Sequence, residues 1–126
     1  MINDIIENKT LIPILKKLLQ LGAVRHRVIA QNIANISTNG YRKKSVEFSE
    51  SLQLMLESNG SGFDNGSEEF KIIESNKTPE AGAPNNVVLS DEMADLARNQ
   101  LYYKFAVNLM KRQLLSIKSS IVGRNL

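Results

Sequence analysis

Apolar residues in the last third of the chain return with a period of seven. Met93, Gln100, Val107, Leu114 and Ile121 share one heptad position, and Leu96, Tyr103, Met110 and Ile117 share the other. One stripe therefore follows a helix expected over residues 90–123. Lys104, Lys111 and Lys118 flank the stripe, as solvated edges flank a coiled-coil seam. Ser90 offers a capping hydroxyl, Asp91 and Glu92 suit the positive end of the helix dipole, and Leu89 stands where a hydrophobic staple begins. No breaker follows until Gly123, which permits a rod roughly 50 Å long. Leu101, Phe105 and Leu109 lie outside the seam on a second face, continued by Leu115 and Val122. One partner helix cannot cover both faces, and a monomer exposing such an apolar patch is either an aggregation risk or an unassembled subunit, of which the second is the preferred reading.

The N-terminal third mirrors this pattern. Ile12, Leu15, Leu19, Ile29, Ile33 and Ile36 recur on one side, widened by Leu18, Leu21 and Val28. Thr10 is placed to cap the helix, which puts Pro13 in its first turn, where proline is tolerated. The expected helix covers residues 10–38, and residues 1–9 are expected to be a flexible N-terminus. Gly22, Ala23, Ala30 and Ala34 are small enough to let a neighbouring helix approach closely.

Between the helices, residues 39–89 read as a loop-rich insert. An amphipathic run around Phe48, Leu52, Met55 and Leu56 predicts a short helix near 45–57. Residues 58–84 are expected to be flexible, since Ser58 to Ser67 is rich in Gly, Ser and Asn. Within them Phe70–Ile73 is a candidate short strand, and Thr78 to Asn86 reads as extended and turn-rich. The resulting fold class is mainly α: two long terminal helices in an antiparallel, coiled-coil-like hairpin, with a poorly ordered insert containing a short helix and short β segments.

Composition narrows what such a fold can do. In 126 residues the aromatic share is 6% and Trp is absent, so a thick, self-sufficient core is not expected. Without Cys there is no disulfide scaffold and no thiolate metal site. The N-terminus carries Asp4 and Glu7 where a cleaved secretory signal would carry Lys or Arg. Lys16-Lys17 and Arg25-His26-Arg27 interrupt the best apolar run, so no membrane span is expected. The net charge is +3 and the pI about 9.3. The nearest approach to a basic patch is Arg42-Lys43-Lys44 with Arg25 and Arg27, short of the dense, aromatic-interleaved stripe of a nucleic-acid reader.

Catalytic constellations are equally thin. His26 is the single histidine, so no His-based metal cluster or nucleophile pair can be completed with Cys or a second His. Glu68-Glu69 falls in a loop, and Asp91-Glu92 already has work at a helix start. Neither pair sits across a pocket as glycosidic chemistry requires. No phosphate-binding glycine pattern is present, and no cofactor or metal is expected. Asn-x-Ser/Thr triplets such as Asn59-Gly60-Ser61 and Asn76-Lys77-Thr78 read as chance in an Asn- and Ser-rich chain.

Asn32 and Asn35 stand apart, because each costs helix propensity and both fall on one helical face. They are either exposed polar residues near a helix end or buried amides bonding a neighbouring element. Asn39-Gly40 then supplies a left-handed turn.

Asn32-Ile33-Ala34-Asn35, followed by Thr38, Gly40 and Tyr41, resembles the N-terminal signature of bacterial flagellar rod, hook and hook-associated axial proteins. Asn39 departs from the proline usual there. Asn85-Asn86-Val87-Val88-Leu89, Glu92-Met93, Leu96-Ala97 and Asn99-Gln100-Leu101 with Tyr103 resemble the end of the proximal rod family. The similarity covers roughly residues 11–57 and 84–122.

It implies a non-enzymatic building block of the periplasmic basal-body rod, the drive shaft carrying motor torque to the hook. It also implies export by the flagellar type III apparatus without a cleaved signal. The implied partners are other rod proteins, further copies of the chain, and components near the basal-body ring and export gate, with no nucleic acid. On that reading Leu96, Gln100, Tyr103, Val107, Met110, Leu114, Ile117 and Ile121 form the intrasubunit seam, and Leu101, Phe105 and Leu109 face neighbouring subunits. The competing reading is a soluble helical adaptor or weak nucleic-acid binder using the basic residues from Arg25 to Lys44.

Overall fold

A computed structural model describes residues 2–48, 57 and 70–123. The order is helix α1 (Ile2–Ala34), strand β1 (Lys44–Phe48), strand β2 (Phe70–Glu74) and helix α2 (Leu89–Val122). The two helices pack antiparallel: Asn32 near the end of α1 meets Glu92 at the start of α2, while Gly22 meets Asn99. The expected mainly helical hairpin is what forms.

Helix α1 starts earlier than its capping pattern predicts. It runs from Ile2, through the segment expected to be flexible, and takes Pro13 into its interior. Proline leaves one backbone bond unmade, but its fixed φ is close to the helical value, so the chain can continue through it. The helix ends at Ala34, short of residue 38. Its last turn tightens through Asn35 N–H to Gln31 and Asn32, Ile36 N–H to Ile33, and Thr38 N–H to Asn35.

The short helix expected near 45–57 is replaced by strand over its first residues, and residues 49–56 and 58–69 lie outside those described. Ser45 and Glu47 are exposed while Val46 is buried, an alternation that a strand satisfies and a helix does not. Val46 joins Leu21 and Val28 in a small cluster, with Val24 and Phe70 against it. Strand β1 pairs antiparallel with β2 in the register Lys44↔Glu74 through Phe48↔Phe70. The strand expected at Phe70–Ile73 is therefore present. Residues 70–84, assigned to a flexible stretch, form β2 and then bends and turns, and Asn86 bonds the Ser75 and Lys77 carbonyls there.

Helix α2 begins at Leu89, so Ser90 is a first-turn residue and not the cap. Extended Val88 is the capping position, and no side chain caps it. Among the buried residues of α2 are Glu92, Asn99 and Ala106, spaced by seven and containing no large hydrophobe. The inner line of the hairpin thus runs one residue ahead of the apolar heptad. Leu96, Val107, Met110 and Ile117 are half-buried beside it, whereas Met93, Gln100, Tyr103, Leu114 and Ile121 are exposed. Close approach decides the register. Gly22 lies under the Tyr103 ring, so that a Cβ there would be 2.8 Å from Tyr103 Cδ2, and Asn99 Nδ2 donates to Gly22 O at 2.9 Å. A large apolar residue at position 99 or 106 would hold the helices further apart.

Candidate functional site

The end of the hairpin nearest the strands is held by amides and one carboxylate. Asn32 is 1% exposed and Glu92 is fully buried. Asn32 Nδ2 donates to Lys44 O at 2.8 Å and to Glu92 Oε2 at 3.1 Å. Its Oδ1 accepts from Lys44 N at 3.0 Å and from the Tyr41 hydroxyl at 2.9 Å. Both donors and both acceptor positions of the amide are used. The two bonds to Lys44 also close the side of β1 turned away from β2, replacing a neighbouring strand at that residue.

Glu92 is neutralised from the other side. Lys43 Nζ is 2.9 Å from Glu92 Oε1 and 3.6 Å from Asp95. Burial works against the Lys43 ammonium, but the hydrogen bond and charge of Glu92, aided by Asp95 and Asp91, outweigh it and raise the pKa. The Tyr41 phenol is also raised, first by burial and then by the negative charges of Glu92 and Glu74. Both groups therefore keep their protons, as the bonds they donate require.

Two further asparagines fasten the connections. Asn85 Nδ2 donates to the carbonyls of Asn35, Ile36 and Thr38 at 2.9, 3.0 and 2.9 Å, and its Oδ1 accepts from Val87 N. Carbonyls orphaned where α1 ends are thus satisfied from a loop some fifty residues away in sequence. Asn86 Oδ1 accepts from Lys43 N at 2.7 Å, and its Nδ2 donates to Ser75 O and Lys77 O. Gly40, at φ 75°, turns the chain out of α1, and its N–H donates to Pro84 O at 3.1 Å.

Of the motif residues singled out from sequence, the fold brings Asn32, Tyr41 and Glu92 into direct contact, with Asn86 bound to the neighbouring Lys43. Asn35 bonds locally, to Gln31 O and the Thr38 hydroxyl. Val87 is buried and Ile33 half-buried, whereas Ala34, Thr38, Leu89 and Met93 are exposed. The partners of Asn32 lie within the same chain, and Asn99 bonds to Gly22 instead. Sequence reasoning named Asn85 in the C-terminal motif and Lys43 in the basic stretch but gave neither a role at this joint. The legible signal for Asn85 was an amide pair directly after Pro84, suited to turn chemistry.

The basic residues do not form a free patch. Lys43 is paired with Glu92, Arg42 reaches Asn76, and Lys44 lies 6.0 Å over the Tyr41 ring. A cleft of about 270 Å³ beside the joint is lined by Arg25, Lys43, Glu92, Asp95, Arg98 and Tyr102. Both Glu92 oxygens are already engaged, so that carboxylate has no free oxygen for a substrate. Among the described residues no helix is long and apolar enough to cross a membrane.

No family model matches the chain. A flagellar basal body rod protein FlgB from Bacillus subtilis (strain 168) is 29% identical over 117 residues, 86% of this chain and 91% of the relative. The flagellar basal body rod protein FlgB of Aeromonas hydrophila is 24% identical over 115 residues, 83% and 87% of the two chains. Both relatives match over most of their length, so the chain, with its Asn-Ile-Ala-Asn joint, is similar along nearly all of its length to the FlgB flagellar basal body rod proteins.

Proposed function

We propose that the chain builds the proximal part of the rod through its terminal helices and there passes torque from motor to hook. The observation that carries this reading is the apolar surface left over after the hairpin has closed. Leu101 is 69% and Phe105 65% exposed, with Tyr102, Leu114, Leu115, Ile121 and Val122 also uncovered. Patches of this kind belong to interfaces. Leu101 and Phe105, with half-buried Leu109, face neighbouring subunits, either copies of the chain or other rod proteins. Torque is then spread over many interlocked side chains. Residues 10–38 and 90–123 act as the assembling core and residues 39–89 as the insert between them. The chain reaches the periplasmic side of the basal body through flagellar type III export.

The test is a Leu101→Asp, Phe105→Asp double variant produced in a motile host lacking its own copy. The expected outcome is loss of rods and of swimming, with the purified variant still helical. Normal swimming would overturn the assignment of this face.

A further inference from the structure

Asn39 and Gly40 occupy the turn that leaves α1, both exposed. Gly40 has no side chain, and apart from its two chain neighbours no atom lies within 4 Å of the place a Cβ would take. No bulk at that position therefore shields its nitrogen from the Asn39 side chain. Two contacts oppose that approach. The Gly40 N–H is donated to Pro84 O at 3.1 Å. The chain just before Asn39 is held where Asn85 Nδ2 meets the carbonyls of Asn35, Ile36 and Thr38. Both contacts come from the loop Pro84-Asn85.

We propose that Asn39-Gly40 is a site of spontaneous deamidation, gated by docking of that loop. In the open turn the Gly40 nitrogen attacks the side-chain carbonyl carbon of Asn39. A new C–N bond closes a five-membered imide, the bond to the side-chain nitrogen breaks, and ammonia leaves carrying the proton that Gly40 gives up. Solvent water then opens the imide at either carbonyl, giving aspartate or isoaspartate, and no electrons are exchanged.

Isoaspartate routes the backbone through the former side chain and leaves a carboxylate beside it. This change falls between Thr38, whose carbonyl Asn85 holds, and Tyr41, whose hydroxyl bonds Asn32. The modified turn no longer delivers Tyr41, Lys43 and Lys44 to Asn32 and Glu92 in register. An undocked chain is thereby converted into one that docks poorly, while a docked chain is preserved.

The experiment is incubation of the full chain in mildly alkaline buffer. Conversion at Asn39 is followed by peptide mass spectrometry and isoaspartate by enzymatic methylation, for the native protein, the protein in urea, and Asn85→Ala. The expected result is slow conversion in the native protein and fast conversion in urea. Asn85→Ala, with its helical signal retained, should convert several-fold to about tenfold faster than native, the range that loss of ordinary net hydrogen bonding allows. Equal rates in native protein and urea would remove the gate, and no conversion in urea would remove the site. The urea comparison needs no variant and decides the matter even if Asn85→Ala unfolds.

Discussion

Asn32 does at one position what several side chains would otherwise have to do. It satisfies the Lys44 backbone, the Tyr41 hydroxyl and one oxygen of a fully buried carboxylate. An apolar replacement leaves all of these without partners, at about 1 to 3 kcal/mol for each buried group. Asn32→Leu should therefore destabilise the fold by roughly 3 to 5 kcal/mol, since several buried polar groups lose their partner at once while Lys43 still offsets the Glu92 charge. Urea unfolding of purified protein checks this, and a loss under about 1 kcal/mol would show that the joint contributes little.

The same joint sets an alkaline limit. Tyr41 and Lys43 have folded pKa values above their ordinary 10.0 and 10.5. The unfolded chain thus loses these protons first, and the folded state binds more protons between the two sets of values. Stability from both groups is complete below the ordinary values and falls as pH rises past about 10 through the folded pKa values. Urea midpoints should drop in that window, and Tyr41→Phe with Lys43→Met should flatten the drop.

At the scale of elements, the helices come closest where Gly22 leaves room for one heptad residue, Tyr103. Gly22 lies against Tyr103, and an added methyl would come within 2.8 Å of the ring. Alanine favours helix over glycine by about 1 kcal/mol, whereas overpacking costs about 1 to 3 kcal/mol. Gly22→Ala should lower stability by roughly 0.5 to 2 kcal/mol, and Tyr103→Leu added to it should recover most of that. A thermal-melt double-mutant cycle showing strict additivity would mean the two do not meet as described.

Much at this scale was legible. Long apolar periodicity located both helices, and Phe70–Ile73 was found as a strand. Residues 45–48 were misread because Phe48, Leu52, Met55 and Leu56 fit a helical period, while the alternation of Ser45, Val46 and Glu47 was too short to compete. The early start of α1 was missed because Thr10 with Pro13 makes a good local helix start, and local capping cannot report that the chain is already helical.

For the whole molecule, the residues that close the hairpin differ from the large apolar residues left exposed. The hairpin closes on Leu15, Leu21, Ile29, Ala106 and the buried amides, while Leu101, Phe105 and Ile121 stay outside. The Leu101→Asp, Phe105→Asp variant should accordingly leave the monomer unfolding midpoint nearly unchanged, because exposed substitutions away from special features move stability by about ±0.5 kcal/mol. The same variant is expected to abolish rods, so a large fall in monomer stability would mean that this face belongs to the fold.

The sequence by itself determined the helical class and the surplus of apolar faces and singled out Asn32, because periodicity and residue chemistry are local and additive. Which stripe faces inward was decided only by tertiary structure. The choice depends on how closely two backbones can approach, and Gly22, Asn99 and Ala106 permit a distance that the larger residues of the heptad would not. The partners of Asn32, Asn85 and Asn86 were likewise invisible, since a hydrogen bond between residues 32 and 92 leaves no periodic trace in the chain.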